Sequence, residues 1–184
     1  MTTTLSFYKT HESAMTPTLS FYKTHESAYI PEFATTGSAC FDFKASLIEG
    51  SEVTSYSWLN SKETNTITED KKLVLKPGHR YLVPTNLIID IPEGYSVRIH
   101  PRSGLALKQG ITLINCEGVI DSDYVDPTFI TLYNTSDSAV TILDGDRVAQ
   151  GEAIKSEFYS LAETKNKPVQ KTNRTGGFGS TGVA

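Results

Sequence analysis

Sulfur and tryptophan are scarce in this sequence: 184 residues carry two cysteines, two methionines and one tryptophan. Cys40 and Cys116 stand alone, so they form neither a disulfide framework nor a metal-ligand cluster. They suit reduced thiols in a cytoplasmic compartment. Neither lies near a His–Asp relay, which argues against a thiol nucleophile. Excess charge is also missing. Lysine and arginine number 17 against 21 aspartates and glutamates, a net charge of −4, and no basic block exists. A nucleic acid polymer is therefore not an expected partner, whereas a single nucleotide needs only a few local cations and backbone N–H groups. No apolar run is long enough to span a bilayer, and no N-terminal stretch has signal-peptide form, so no membrane partner is expected. Long helical periodicity is absent as well.

What is present suits a globular chain: 38% of residues are hydrophobic and 21% charged, and the length suits one domain. The first feature is a repeat. MTTTLSFYKTHESA at 1–14 recurs as MTPTLSFYKTHESA at 15–28, differing only in Thr3 against Pro17. The copies are too short for a solenoid unit. Only the second runs into Tyr29-Ile30-Pro31, so residues 1–14 read as a disordered duplicated start, with the core spanning 15–161. The alternative makes copy one the first strand and copy two a loop.

Further on, Ala39, Phe41 and Phe43 alternate with Ser38, Asp42 and Lys44, which predicts a half-buried strand over 36–45. Asp42 then stands on the polar side, available to an ion or a water. Residues 49–72 are polar and without a clean period, and read as an inserted loop or hairpin. Its Trp58 and Leu59 are expected to staple it to the body; the alternative is a contact surface for a partner protein. Short strands follow at 73–77, 81–92 and 95–100, separated by Pro-Gly and Pro-Glu-Gly turns. One short helix is expected at 103–108, with Ser103 as its cap. The last core strands are placed at 140–144 and 148–154. Residues 162–184 lose all periodicity and end in a glycine-rich segment without a core pattern, which makes sense as an arm folding over a ligand. The class is an all-β sandwich or barrel.

Everything turns on residues 115–124, Asn-Cys-Glu-Gly-Val-Ile-Asp-Ser-Asp-Tyr, read as a tight hairpin between strands at 110–114 and 128–133. Asn115 offers both donor and acceptor, suited to the edge of a base or amide. Gly118 lets backbone approach a ligand or take a positive φ. Asp121 and Asp123, two apart, would share one face of an extended segment, where one carboxylate can act as general base. A plain solvated turn has the same composition. At 102–104, an arginine fork, a Ser hydroxyl and an unobstructed Gly backbone would suit a phosphate, or equally a capped helix beside a surface arginine.

The company of this stretch decides between these readings. Gly37-Ser38-Ala39-Cys40-Phe41-Asp42, Pro101-Arg102-Ser103-Gly104-Leu105-Ala106, the stretch itself, Gly145-Asp146-Arg147-Val148-Ala149-Gln150 and Gly176-Gly177-Phe178-Gly179-Ser180-Thr181-Gly182 follow one another in order. Together they resemble the five motifs of the trimeric dUTPase family, over about residue 21 to the end apart from the insert. The resemblance implies a distorted jelly-roll-like subunit, a homotrimer, and hydrolysis of dUTP to dUMP and pyrophosphate with Mg²⁺. In that family the residues matching Asp121 activate the attacking water. Those matching Arg102, Ser103, Gly104 and Gln150 hold the phosphate chain. Asn115, Gly118, Val119 and Ile120 match the uracil-binding segment, and Tyr124 the ring under the deoxyribose. Asp42 matches the carboxylate that holds Mg²⁺ through water. Arg174, Phe178, Gly179, Ser180 and Thr181 match the arm that closes over base and γ-phosphate.

Three departures stand out. Cys40 replaces a Gly, Val125-Asp126-Pro127 replaces Arg-Gly-Glu or a close variant, and Arg174 stands nearer Phe178 than the family's arginine does. Two rivals remain: a dCTP deaminase-like enzyme, for which Glu117 is the nearby proton shuttle, and a dUTPase-like scaffold that binds a partner protein through residues 49–72.

Overall fold

The computed structural model describes residues 17–173 and 176. The strands among them are β1 (Ser20–Lys23), β2 (Glu32–Phe33), β3 (Phe41–Lys44), β4 (Glu52–Tyr56), β5 (Lys62–Thr66), β6 (Lys72–Leu75) and β7 (Arg80–Pro84). They continue as β8 (Leu87–Asp90), β9 (Tyr95–His100), β10 (Ile111–Leu113), β11 (Gly118–Ile120), β12 (Phe129–Asn134), β13 (Val140–Leu143) and β14 (Arg147–Lys155). One helix, α1 (Ser103–Gln109), lies between β9 and β10. Residues 1–14, expected to form the duplicated start, and the residues of the closing arm other than Gly176 lie outside the described set.

Two five-stranded sheets, ordered β10-β12-β7-β4-β5 and β11-β9-β14-β3-β2, are supplemented by the ribbons β1-β8 and β13-β6. Every pairing is antiparallel. The architecture is the expected all-β, jelly-roll-like one. Period-two alternation builds it: in β7, Tyr81 and Val83 turn inward, and in β12, Ile130 and Leu132 do the same. They meet Phe41, Phe43, Val97 and Ile99 of the other sheet in one buried cluster. Gly151 of β14 is closely covered there, since a Cβ on it would come within 2.7 Å of Phe43 and 2.9 Å of Phe41 and force a ring to shift. The buried amide of Asn134 is fully used. It donates to the Leu75 and Ser138 carbonyls, both at 2.8 Å, and accepts from the Ser136 N–H and hydroxyl.

Several expectations need correction. The strand predicted over 36–45 begins only at Phe41, because Thr35 and Ser38 close a turn by side-chain hydrogen bonds. The run 81–92 is two strands, broken where Asn86 takes a left-handed φ of 54° and donates to the Ser46 carbonyl. Ser103 does not cap α1; Arg102 occupies the cap position without a side-chain bond. The helix ends instead on Gly110, at φ 66°, whose N–H returns to Ala106 and Leu105.

The insert is a hairpin, β4–β5, that widens the first sheet through β4–β7 pairing. Trp58 and Leu59 sit at its tip, 72% and 66% exposed, so they do not staple it. Buried Val53 and Ile67 do, with Lys76–Glu63 at 2.9 Å and Arg80–Asn60 at 2.7 Å. The second copy of the repeat enters the fold: β1 pairs with β8. Just after it, the Tyr29 hydroxyl donates to Asp144 at 2.9 Å, and the other Asp144 oxygen accepts from the Leu47 N–H at 2.8 Å.

Candidate functional site

Residues 115–124 do not form a tight hairpin. The Ile114 N–H still reaches Thr131 of β12, at 3.1 Å. The chain then turns at Cys116, φ 62°, and leaves for the other sheet, where β11 pairs with β9. Gly118 lies opposite Ile99 and Ile120 opposite Val97. Gly118 is not in the left-handed region; its use is close approach, since a Cβ there would stand 3.1 Å from Ile99. Beyond β11 the Tyr124 N–H closes a turn on the Asp121 carbonyl at 3.1 Å. Asp121 and Asp123 thus sit in a turn, both exposed, rather than side by side on a strand face. The Tyr124 hydroxyl donates to the Pro127 carbonyl at 3.1 Å, which fixes the ring. Asn115, Gly118, Val119, Ile120 and Tyr124 together line a cleft of about 240 Å³, with Ile99, Thr128 and Phe129 as its remaining walls.

A second cleft, of about 340 Å³, is lined by Asp42, Arg102, Ser103, Gly104, Arg147 and Gln150, among others. Position 104 opens onto free space, with no atom within 4 Å of a built Cβ, so a ligand's oxygens can reach the backbone. The Asp42 carboxylate is bracketed by two guanidinium groups: Arg102 Nε at 2.9 Å on one oxygen and Arg147 Nη1 at 3.2 Å on the other. Arg102 Nη1 also donates to the Arg147 carbonyl at 3.0 Å. Two of the three Arg102 nitrogens are therefore engaged within the chain, and Asp42, on the polar side as expected, is already paired with two arginines. Two cations around one anion leave the cleft net positive, which suits an anionic chain. Gln150 donates to the Pro101 carbonyl at 3.0 Å and holds the entry to α1 against β14.

No group of three His, Cys, Asp or Glu side chains able to cage a metal exists among the described residues. Asp42 keeps lone pairs beyond the two arginine contacts, since a carboxylate accepts about four hydrogen bonds. One carboxylate with spare acceptor capacity fits Mg²⁺, which keeps its waters and takes oxygens from substrate phosphates.

The two clefts share no lining residue. Of the residues expected in the site, Arg174, Phe178, Gly179, Ser180 and Thr181 lie outside the described residues. Glu117 is tied to Arg98 at 3.5 Å and to His100 at 3.7 Å, which leaves it poorly placed as a proton shuttle. Burial first, then the charges of Glu152 and Asp42, push the Cys40 thiol above its ordinary range, the opposite of an activated thiolate. Sequence reading missed Arg147, Thr128 and Phe129. Arg147 stood in a quoted motif; the pairing of β14 with β3, which brings it to Asp42, is the signal that only the fold supplies. Thr128 is buried, and its hydroxyl is the one side-chain oxygen left buried without a partner among the described residues.

Comparison with known proteins gives a consistent result. The sequence profile of the dUTPase family matches residues 67–182. A deoxyuridine 5'-triphosphate nucleotidohydrolase of Caulobacter vibrioides is 38% identical over 154 residues, which is 83% of this chain and 85% of that protein. Its counterpart from Brucella suis is 40% identical over 154 residues, covering 84% and 85%. Among solved structures, a dUTPase of Staphylococcus bacteriophage 80alpha with dUpNHpp superposes with a TM-score of 0.70 at 19% identity, covering 91% of this chain and all of that one. The Streptococcus mutans dUTPase gives 0.59 at 23% identity, covering 78% and 98%. A dUTPase of phage phi11, with a TM-score of 0.61 at 20% identity, coordinates a structural Mg(II) ion.

Proposed function

The chain belongs to the dUTPase family and is a dUTP diphosphatase, and we propose that Asp121 activates the water that attacks the α-phosphorus of dUTP. The Asp121 carboxylate takes a proton from water, and the resulting oxygen bonds to the α-phosphorus in line with the α–β bridge. The bridging P–O bond breaks, its electron pair leaves with pyrophosphate, and dUMP remains. The observation that carries this reading is the place of Asp121 in the chain, one residue beyond β11 and next to Ile120, which lines the cleft with Asn115, Gly118, Val119 and Tyr124.

Uracil fits that cleft by its donor–acceptor pattern. The Asn115 amide and the backbone of 118–120 meet O2, N3–H and O4, and cytosine presents the wrong pattern and leaves buried groups unpaired. The Tyr124 ring lies under the deoxyribose, where a 2′-hydroxyl would be desolvated without a partner. Arg102, Ser103, Gly104 and Gln150 take the phosphate chain. The Ser103 hydroxyl and N–H face the bridge oxygen on which charge grows, an oxyanion-type contribution. Asp42 would hold Mg²⁺ through water, and the ion would supply charge neutralisation for the triphosphate. Arg174 and the segment with Phe178, Gly179, Ser180 and Thr181 close over the bound nucleotide and exclude water.

The separation of the two clefts supports a homotrimer in which the nucleoside cleft of one chain faces the phosphate cleft of another. The reaction is tested by hydrolysis in oxygen-18-labelled water. Label in dUMP means attack at the α-phosphorus, as expected; label in pyrophosphate alone overturns it.

A further inference from the structure

The repeat at the start of the chain lines neither cleft, yet half of it has a place in the fold. Copy two supplies β1, which pairs with β8 from Ser20 opposite Asp90 to Lys23 opposite Leu87. Leu19 and Phe21, two apart, pack against the buried cluster, and the Phe21 ring meets Phe41 edge-on with centroids 5.9 Å apart. The Thr24 N–H donates to the Asn86 carbonyl at 3.0 Å, and Ala28 is buried. All of these contacts are made by residues 19–28, and residues 5–14 repeat that sequence without a change. The one difference between the copies, Thr3 against Pro17, falls outside it. A site that accepts Leu-Ser-Phe-Tyr-Lys-Thr-His-Glu-Ser-Ala from one copy offers the other the same contacts.

We propose that the place beside β8 is a docking site for residues 5–14 of the same chain, which take it whenever copy two is displaced. In that arrangement Leu5 and Phe7 stand where Leu19 and Phe21 stood, and residues 6–9 pair with β8. Residues 15–28 then loop out between Ala14 and Tyr29. Fourteen residues reach about 46 Å when extended, so they close such a loop without strain. The cost is entropic: closing a loop of that length disfavours the arrangement by about fiftyfold. Since the contacts are otherwise the same, this factor accounts for copy two holding the place in the unaltered chain. Copy one of the same chain also outcompetes that of a neighbouring molecule, because a short tether gives an effective concentration in the millimolar range. The repeat is thus a spare first strand.

The test is urea denaturation of four full-length chains: wild type, Leu5→Asp with Phe7→Asp, Leu19→Asp with Phe21→Asp, and the chain with all four changes. Altering copy one alone leaves the midpoint where it was. Altering copy two lowers the folding equilibrium constant by about fiftyfold, the loop factor, because copy one steps in. Altering both puts carboxylates against the core whichever copy docks, and the loss goes far beyond that. A fourfold variant as stable as the copy-two variant overturns the proposal, as does a copy-two variant that fails to fold. Brief trypsin digestion with mass analysis locates the strand. Protection passes from Lys23 in wild type to Lys9 in the copy-two variant; a copy-two variant with no protection at Lys9 contradicts the exchange. A rescue that strengthens with protein concentration, relative to wild type, places copy one on a neighbouring molecule and overturns docking within the chain.

Discussion

Asp121, exposed in the turn after β11, is the residue proposed to carry the chemistry. Asp121→Asn removes the general base while keeping size and hydrogen-bonding capacity, so turnover should fall by about 10²- to 10⁴-fold. Affinity for a non-hydrolysable dUTP analogue, read by calorimetry, should stay within a few fold; parallel loss of binding and folding would make Asp121 structural instead. Gly151 tests the core. With Phe43 and Phe41 at 2.7 and 2.9 Å from a built Cβ, Gly151→Ala should cost about 1–3 kcal/mol of overpacking in urea denaturation. An unchanged midpoint would mean that the rings yield freely. Much of this was legible at the level of single residues. Asp42, Arg102, Asn115, Asp121 and Gln150 were expected in the site because the motifs they stand in resemble those of the dUTPase family; Asn115 lines one cleft, and Asp42, Arg102 and Gln150 line the other. The bracket of Arg102 and Arg147 on Asp42 was not legible, since it joins three positions distant in sequence.

Elements that bury one face were legible for a physical reason: an inward strand position must be apolar, so β3, β7 and β12 announce themselves by alternation. The β4–β5 insert was harder to read. Its second strand, Lys-Glu-Thr-Asn-Thr, is a sheet edge with no buried residue, so nothing in it has to alternate. The crossing of β11 to the second sheet was also hidden, because pairing with β9 is a long-range choice that local sequence does not encode. The insert carries its own prediction. The Lys76 ammonium, hydrogen-bonded to Glu63, draws its carboxyl below the usual 4.5. A lowered folded value gives a contribution that is present above the unfolded value and lost as pH falls through the folded one. The difference in thermal midpoint between the protein and Glu63→Gln should therefore be present above the usual carboxyl value of 4.5 and shrink as pH falls below it. A difference that persists at low pH would mean that the carboxylate charge does not tie down the hairpin.

For the whole molecule, the two clefts with no shared lining residue are the fact to be explained. A chain that took the nucleoside in one cleft and the phosphates in the other would complete a site by association. Deleting residues 175–184 should reduce turnover far more than the melting temperature, if that segment closes the site; an unfolded product would refute the arm. The account's central claim is that Asp121 and Arg102 of one working site come from different chains. The most direct measurement coexpresses Asp121→Asn with Arg102→Ala, each inactive alone, and assays dUTP hydrolysis by the mixed assembly. Recovered activity, from sites in which both halves are wild type, is the predicted result. A mixed assembly that forms and remains inactive would place both residues in one chain's site and contradict it.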